Sequence, residues 1–216
     1  MILLITAAVA VAAIPAYSLL RNAGQPDPVT LDAGEAVADR PPPSGQWSLV
    51  ADGGFVGYRI TEPLDVTVVG RTEEVDGTME VAVDGDGSTV ELAALEVRAD
   101  LGALRSDAAA RDQALRGRIL ETDEFPDAAF TAEAPVRLED VRPGAVQSIR
   151  VPGTLVIRDR RVGTEAHVDV RWSGEVVRVV GRVNILLSDF AVESPAGAID
   201  DQAVVELDLT FAPTAG

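Results

Sequence analysis

Cysteine and lysine are both absent from this 216-residue chain, and histidine occurs once, as His167. Without cysteine there can be no disulfide, no thiol catalysis, no Cys-ligated zinc and no iron–sulfur cluster. One histidine rules out a multi-histidine metal site. All 18 basic residues are arginines, set against 35 acidic ones, for a formal net charge of -17. Such a chain lacks the basic footprint that nucleic acid requires and the polybasic patch that docks peripheral proteins on anionic lipid. Aromatics are few: five Phe, two Trp and two Tyr. The remaining composition, 47% hydrophobic and 25% charged, is that of a globular protein. The length suits one domain with a small appendage.

Residues Met1 to Leu20 carry no charged side chain, and Ile2 to Ile14 are almost wholly apolar. Such a stretch suits a signal peptide or a membrane anchor over residues 1–21. The charged leader and small-residue cleavage site of a signal peptide are missing, which favours an uncleaved anchor. The expectation is export, with the domain outside the cytoplasmic membrane. Residues 22–45 hold Pro26, Pro28 and Pro41-Pro42-Pro43 together with Asp27, Asp32, Glu35 and Asp39. Pro-rich acidic composition predicts an extended linker with few groups to pack, so that the domain folds without it. The domain is then expected over 46–212, with a short tail at 213–216.

Within the domain, apolar and polar residues alternate. Met79, Val81 and Val83 form one such series, and Phe130, Ala132, Ala134, Val136 and Leu138 a second. Val151, Gly153, Leu155 and Ile157 follow, then Ala166, Val168, Val170 and Trp172. Val205, Leu207, Leu209 and Phe211 complete the set. Period-two patterning predicts antiparallel strands with one wet face. Between Val90 and Leu101 the phase slips, as a β-bulge near Ala93 or Ala94, or a strand covered on both faces, would cause. Roughly eight to ten strands separated by Gly, Pro and Asp turns predict an all-β barrel or sandwich. One stretch, Ser106 to Leu120, is rich in helix formers. It predicts a single helix capped by Ser106 or Asp107, placed as a lid or plug.

The sharper chemical patterns are weak. His167 alternates in register with Glu165, Asp169 and Arg171, which puts it on the wet face. Asp123-Glu124 and Asp200-Asp201 are better read as turn residues than as a catalytic acid pair in a chain this acidic. Gly153-Thr154 and Gly181-Arg182 lack the spacing of a phosphate-binding loop. Arg158, Arg160 and Arg161 fit an exposed hairpin. Phe130, Trp172 and Phe211 sit on apolar faces, and are core in a filled barrel or lining in a hollow one. Arg59, Arg71 and Arg118 are candidate partners for a polar ligand head.

The ordered set of these segments resembles the YceI-like family of bacterial barrels, related in form to lipocalins. The residues that carry the likeness are Trp47-Ser48-Leu49, Gly57-Tyr58-Arg59-Ile60, Gly70-Arg71 and Val75-Asp76-Gly77-Thr78-Met79. Arg111-Asp112 with Leu115, and Phe125-Pro126-Asp127-Ala128-Ala129-Phe130, match best. Gly153-Thr154-Leu155, Leu187-Ser188-Asp189-Phe190 and Ile199-Asp200-Asp201 follow. The likeness spans about residues 46–211. It implies an antiparallel lipocalin-like β-barrel with one short helix and an elongated apolar interior. It further implies a non-catalytic binder of polyisoprenoids or other long amphiphiles, needing no cofactor or metal. Many members carry a histidine in the first long strand, where Arg59-Ile60 stands here. On this reading Phe130, Val136, Leu155, Trp172 and Leu207 line the cavity, Phe125 belongs to the turn after the lid, and Arg59 or Arg118 meets the ligand head. The alternative is a ligand-free structural or interaction domain displayed on a membrane-anchored stalk.

Overall fold

The alternating segments pair, neighbour to neighbour, into one antiparallel sheet. Its strands are β1 (Gly45–Glu62), β2 (Val66–Thr72), β3 (Val75–Val83), β4 (Val90–Asp100), β5 (Arg105–Ser106), β6 (Asp127–Ala132), β7 (Val136–Leu138), β8 (Val146–Ile157), β9 (Arg160–Trp172), β10 (Val177–Leu186) and β11 (Gln202–Pro213). This computed structural model describes residues 22–34, 40–62, 65–85, 87–192 and 201–214. The apolar stretch expected as a signal peptide or anchor lies outside the described residues. Among the described residues, no helix is long and apolar enough to cross a membrane.

Pairing of β11 with β1 closes the sheet into a barrel. Two of its walls are made of two strands each. β3 pairs with the first residues of β1, and β2 with its second half. β6 and β7 likewise share β4. The result is an eight-stranded antiparallel barrel with one short helix. The series from Phe130 to Leu138 is thus broken in the middle. Glu133 to Pro135 leave the sheet and Ala134 is exposed, because proline cannot donate to a ladder. The phase slip in β4 is a β-bulge: Glu80 pairs with Ala94 but Val81 with Leu92, leaving Ala93 unmatched. Leu92 and Leu95 therefore both reach the interior. A second irregularity lies in β1, between Leu49 and Gly54. Gly54 has φ +138°, and a Cβ there would stand 1.7 Å from the Asp208 carbonyl oxygen. Only glycine lets β11 approach so closely.

The predicted helix is shorter than its sequence suggested. Ser106 belongs to β5, α1 spans Ala109–Ala114, and a π-helical turn, Leu115–Ile119, continues it. Neither expected cap forms. Ala108 is the N-cap without a side-chain bond. Ser106 and Asp107 are otherwise engaged: Ser106 N and Oγ both donate to the buried Asp112, and Asp107 receives Arg111. Asp112 thereby ties the helix to β5.

The described parts of the 22–45 linker lie along the barrel instead of standing off it. Asn22 and Gln25 accept hydrogen bonds from Thr67 N and Val69 N of β2, at 2.8 and 3.1 Å. Leu31 is buried. Arg171 donates to the Asp32 carbonyl and Gly34 N to the Gly144 carbonyl. Prolines keep the segment extended, which frees its carbonyls and side chains to bond to the wall.

An apolar cavity along the barrel axis

Inward residues of the barrel follow the predicted alternation, but they do not fill it. Leu92, Val97, Ile149, Val179 and Leu207 point into the interior yet remain half-buried, because they face an open space. Hydrophobic clusters gather toward the two ends of the barrel. A cavity of about 270 Å³ runs along their inner faces, and its lining is almost wholly apolar. The question of a filled or a hollow barrel is thus decided in favour of a hollow one.

One end is plugged. Leu115, Ile119 and Leu120 from the helical turn meet Leu101, Leu104, Leu187, Phe190 and Val192 there. Phe190, Leu104 and Leu120 are all buried. The helix expected as a lid therefore closes this end with hydrophobic side chains. Tyr58 also lines the cavity, and its ring lies over Gly70 of β2. Burial pushes its hydroxyl up to about 12, against the weaker effect of Arg111 nearby. It therefore stays protonated at neutral pH.

Trp47 and Trp172 stand at the opposite end, in edge-to-face contact with ring centroids 5.6 Å apart. Both are buried. Trp172 Nε1 donates to the Arg40 carbonyl at 2.7 Å, and Trp47 Nε1 to the Pro43 carbonyl at 3.2 Å. Arg40 Nε in turn donates to the Gly174 carbonyl at 2.7 Å. Residues 40–43 thus form a strap over this end, and Pro42 is buried against the cavity. Beside the strap, the exposed Arg142 and Ala145 line the mouth.

The residues selected from sequence divide accordingly. Phe130, Leu155, Trp172 and Leu207 line the cavity. Val136 packs among the inward side chains of β8, β9 and β10 without reaching the open space. Phe125 lies outside, below the Arg158 guanidinium. Arg118 is exposed on the helical turn and does not line the cavity. Arg59 points outward, since Tyr58 and Ile60 on either side point in. It pairs with the buried Glu206 at 2.6 Å and donates to the Pro26 carbonyl. Arg71 shares that outer site, 3.7 Å from Glu206 and 4.0 Å above the Phe55 ring. The single histidine lies on the outer wall as expected, 3.1 Å from Glu165. Sequence reasoning missed the strap and Arg142. The proline triplet just ahead of Trp47 was the available signal for the first. Nothing marks Arg142 out from the other arginines. Among the described residues, no group of three or more His, Cys, Asp or Glu is placed to hold a metal ion.

The model of the YceI-like domain matches residues 47–211. The chain belongs to this family. Solved structures share its fold. One is described as a polyisoprenoid binding domain from Saccharophagus degradans, at 19% identity and TM-score 0.61, covering 77% of this chain and 98% of that one. Another is BcnA of Burkholderia cenocepacia, at 16% identity and TM-score 0.60, covering 75% and 98%. The YceI protein of Campylobacter jejuni aligns at 15% identity and TM-score 0.52, covering 68% and 85%. No curated protein matches the chain.

Proposed function

We propose that this YceI-like barrel is a non-catalytic carrier that holds the tail of a long isoprenoid-like lipid along its axis, and that it works outside the cytoplasmic membrane, tethered by its N-terminal apolar stretch. The observation that carries the reading is the hollow interior. A folded core normally packs to the density of an organic crystal. Here a continuous series of aliphatic side chains surrounds space instead. An apolar tail would recover the lost contacts, at about 0.8 kcal/mol for each CH₂ removed from water. The description of the Saccharophagus relative supports an isoprenoid tail. A non-catalytic role fits the lining, whose titratable side chains among the described residues are the mouth arginine and a tyrosine held protonated.

Native mass spectrometry of the full chain, with organic extraction of what travels with it, tests the carrier reading. A bound long-chain apolar molecule is expected. Recovery of none, together with no uptake of added geranylgeraniol, would leave a ligand-free structural domain. Protease treatment of intact cells tests location: the barrel should be cut from them, and its protection until lysis would place it in the cytoplasm.

A further inference from the structure

Among the described residues, one charged side chain lines the interior, that of Arg142. Arg142 stands at the tryptophan end, exposed, in the loop between β7 and β8. Among the described residues it makes no ion pair, although Arg59, Arg111, Arg137, Arg158 and Arg178 all do. Glu139 and Asp140 precede it in the same loop, but neither lines the cavity. Gln147, the other polar side chain at this mouth, already donates to the Glu139 carbonyl at 2.6 Å. Among the described residues, no charged side chain lines the opposite end. Arg105 and Arg116 are turned to the Leu104 carbonyl there, behind a closed apolar plug.

We infer that the natural ligand carries an anionic head, a phosphate or carboxylate, which sits at Arg142 beside the strap of residues 40–43, with its tail running toward the helix. The inference rests on the carrier reading above and adds the ligand's charge and orientation. A guanidinium with unused donors favours a phosphate or carboxylate, to which it can form two parallel hydrogen bonds. The rest of the molecule makes the site selective. With 35 acidic side chains against 18 basic ones, most of the surface repels an anion. Arg40 and Arg171 lie close by. They donate to the carbonyls of Gly174 and Asp32 and have no carboxylate partner among the described residues, so they add to the positive potential.

Both tryptophans of the chain line this end, so intrinsic fluorescence reads its occupancy directly. The full chain, stripped of lipid, is titrated with geranylgeranyl phosphate and with geranylgeraniol, which share one tail. The phosphate is expected to bind on the order of fivefold more tightly, and the difference should shrink in high salt. Arg142→Gln should abolish the difference while leaving the alcohol's affinity within about twofold. Arg118→Gln should preserve it. Equal affinities in the unaltered chain, or an undiminished preference in Arg142→Gln, would overturn the head-group site and leave the carrier reading standing. Loss of the preference in Arg118→Gln instead would place the head at the wrong end. Binding of neither probe would overturn both readings. A thermal melt of each variant separates these outcomes from misfolding.

Discussion

A few aromatic side chains are seated so that they leave the lumen open. The ring of Tyr58 lies on Gly70 and that of Phe130 on Gly153, each glycine belonging to a neighbouring strand, and the ring of Phe211 reaches across β1 to Gly77 of β3. A Cβ at Gly153 would come within 2.4 Å of the Phe130 ring. A ring that rests on a bare backbone lies along the wall and takes little room from the centre. Tyr58 has a second consequence, at alkaline pH. Its folded-state pKa, about 12, exceeds the ordinary value of 10.0 because burial disfavours the phenolate. The unfolded chain releases that proton first. The associated stability is therefore intact below about pH 10 and is lost as pH rises toward 12, by about 3 kcal/mol in all. Chemical denaturation at a series of pH values should show this decline, and Tyr58→Phe should flatten it. An equal decline in the variant would assign the effect to other groups.

The elements that frame the cavity differ in how plainly the sequence announced them. Strands β8, β9 and β11 were legible because apolar residues alternate along Val151–Ile157, Ala166–Trp172 and Val205–Phe211, and one face had to be buried somewhere. The bulge in β4 was legible as a break in phase. The direction of Arg59 was not, although it follows from the same alternation: Tyr58 and Ile60 flank it, and both are apolar enough to claim the inside. Val136 was placed on the correct face but not on the cavity, since depth along a strand is set by its neighbours. The segment before β1 was the larger miss. Its composition is that of a spacer, yet its backbone carbonyls serve two buried indole N–H groups, and such bonds leave no trace in a hydropathy pattern. Loss of each would cost about 1–3 kcal/mol, and exposing Leu31 about 1.5–3 kcal/mol more. A chain that begins at Gln46 should therefore unfold at a clearly lower denaturant concentration than the full chain. Equal midpoints would show that these contacts add no net stability.

For the whole molecule, a closed barrel ought to have no unpaired strand. This one is closed incompletely. On its side away from β1, β2 meets β5 only at Gly70 and Arg71. The remaining outward N–H groups of Thr67 and Val69 are met by the Asn22 and Gln25 carboxamides, two side chains standing in for a missing strand. Without them the barrel would present a raw edge, the template on which foreign strands add and proteins aggregate. The net charge of -17 would hold copies apart in dilute buffer but is screened over about 3 Å at molar salt. Asn22→Ala combined with Gln25→Ala should accordingly be monodisperse by light scattering at low ionic strength and self-associate in 1 M salt, where the unaltered chain does not. A double variant that behaves as the parent in both would mean that the edge is guarded elsewhere. Two amides, far from the cavity, would then be what keeps a hollow and acid-rich barrel from becoming the seed of a fibre.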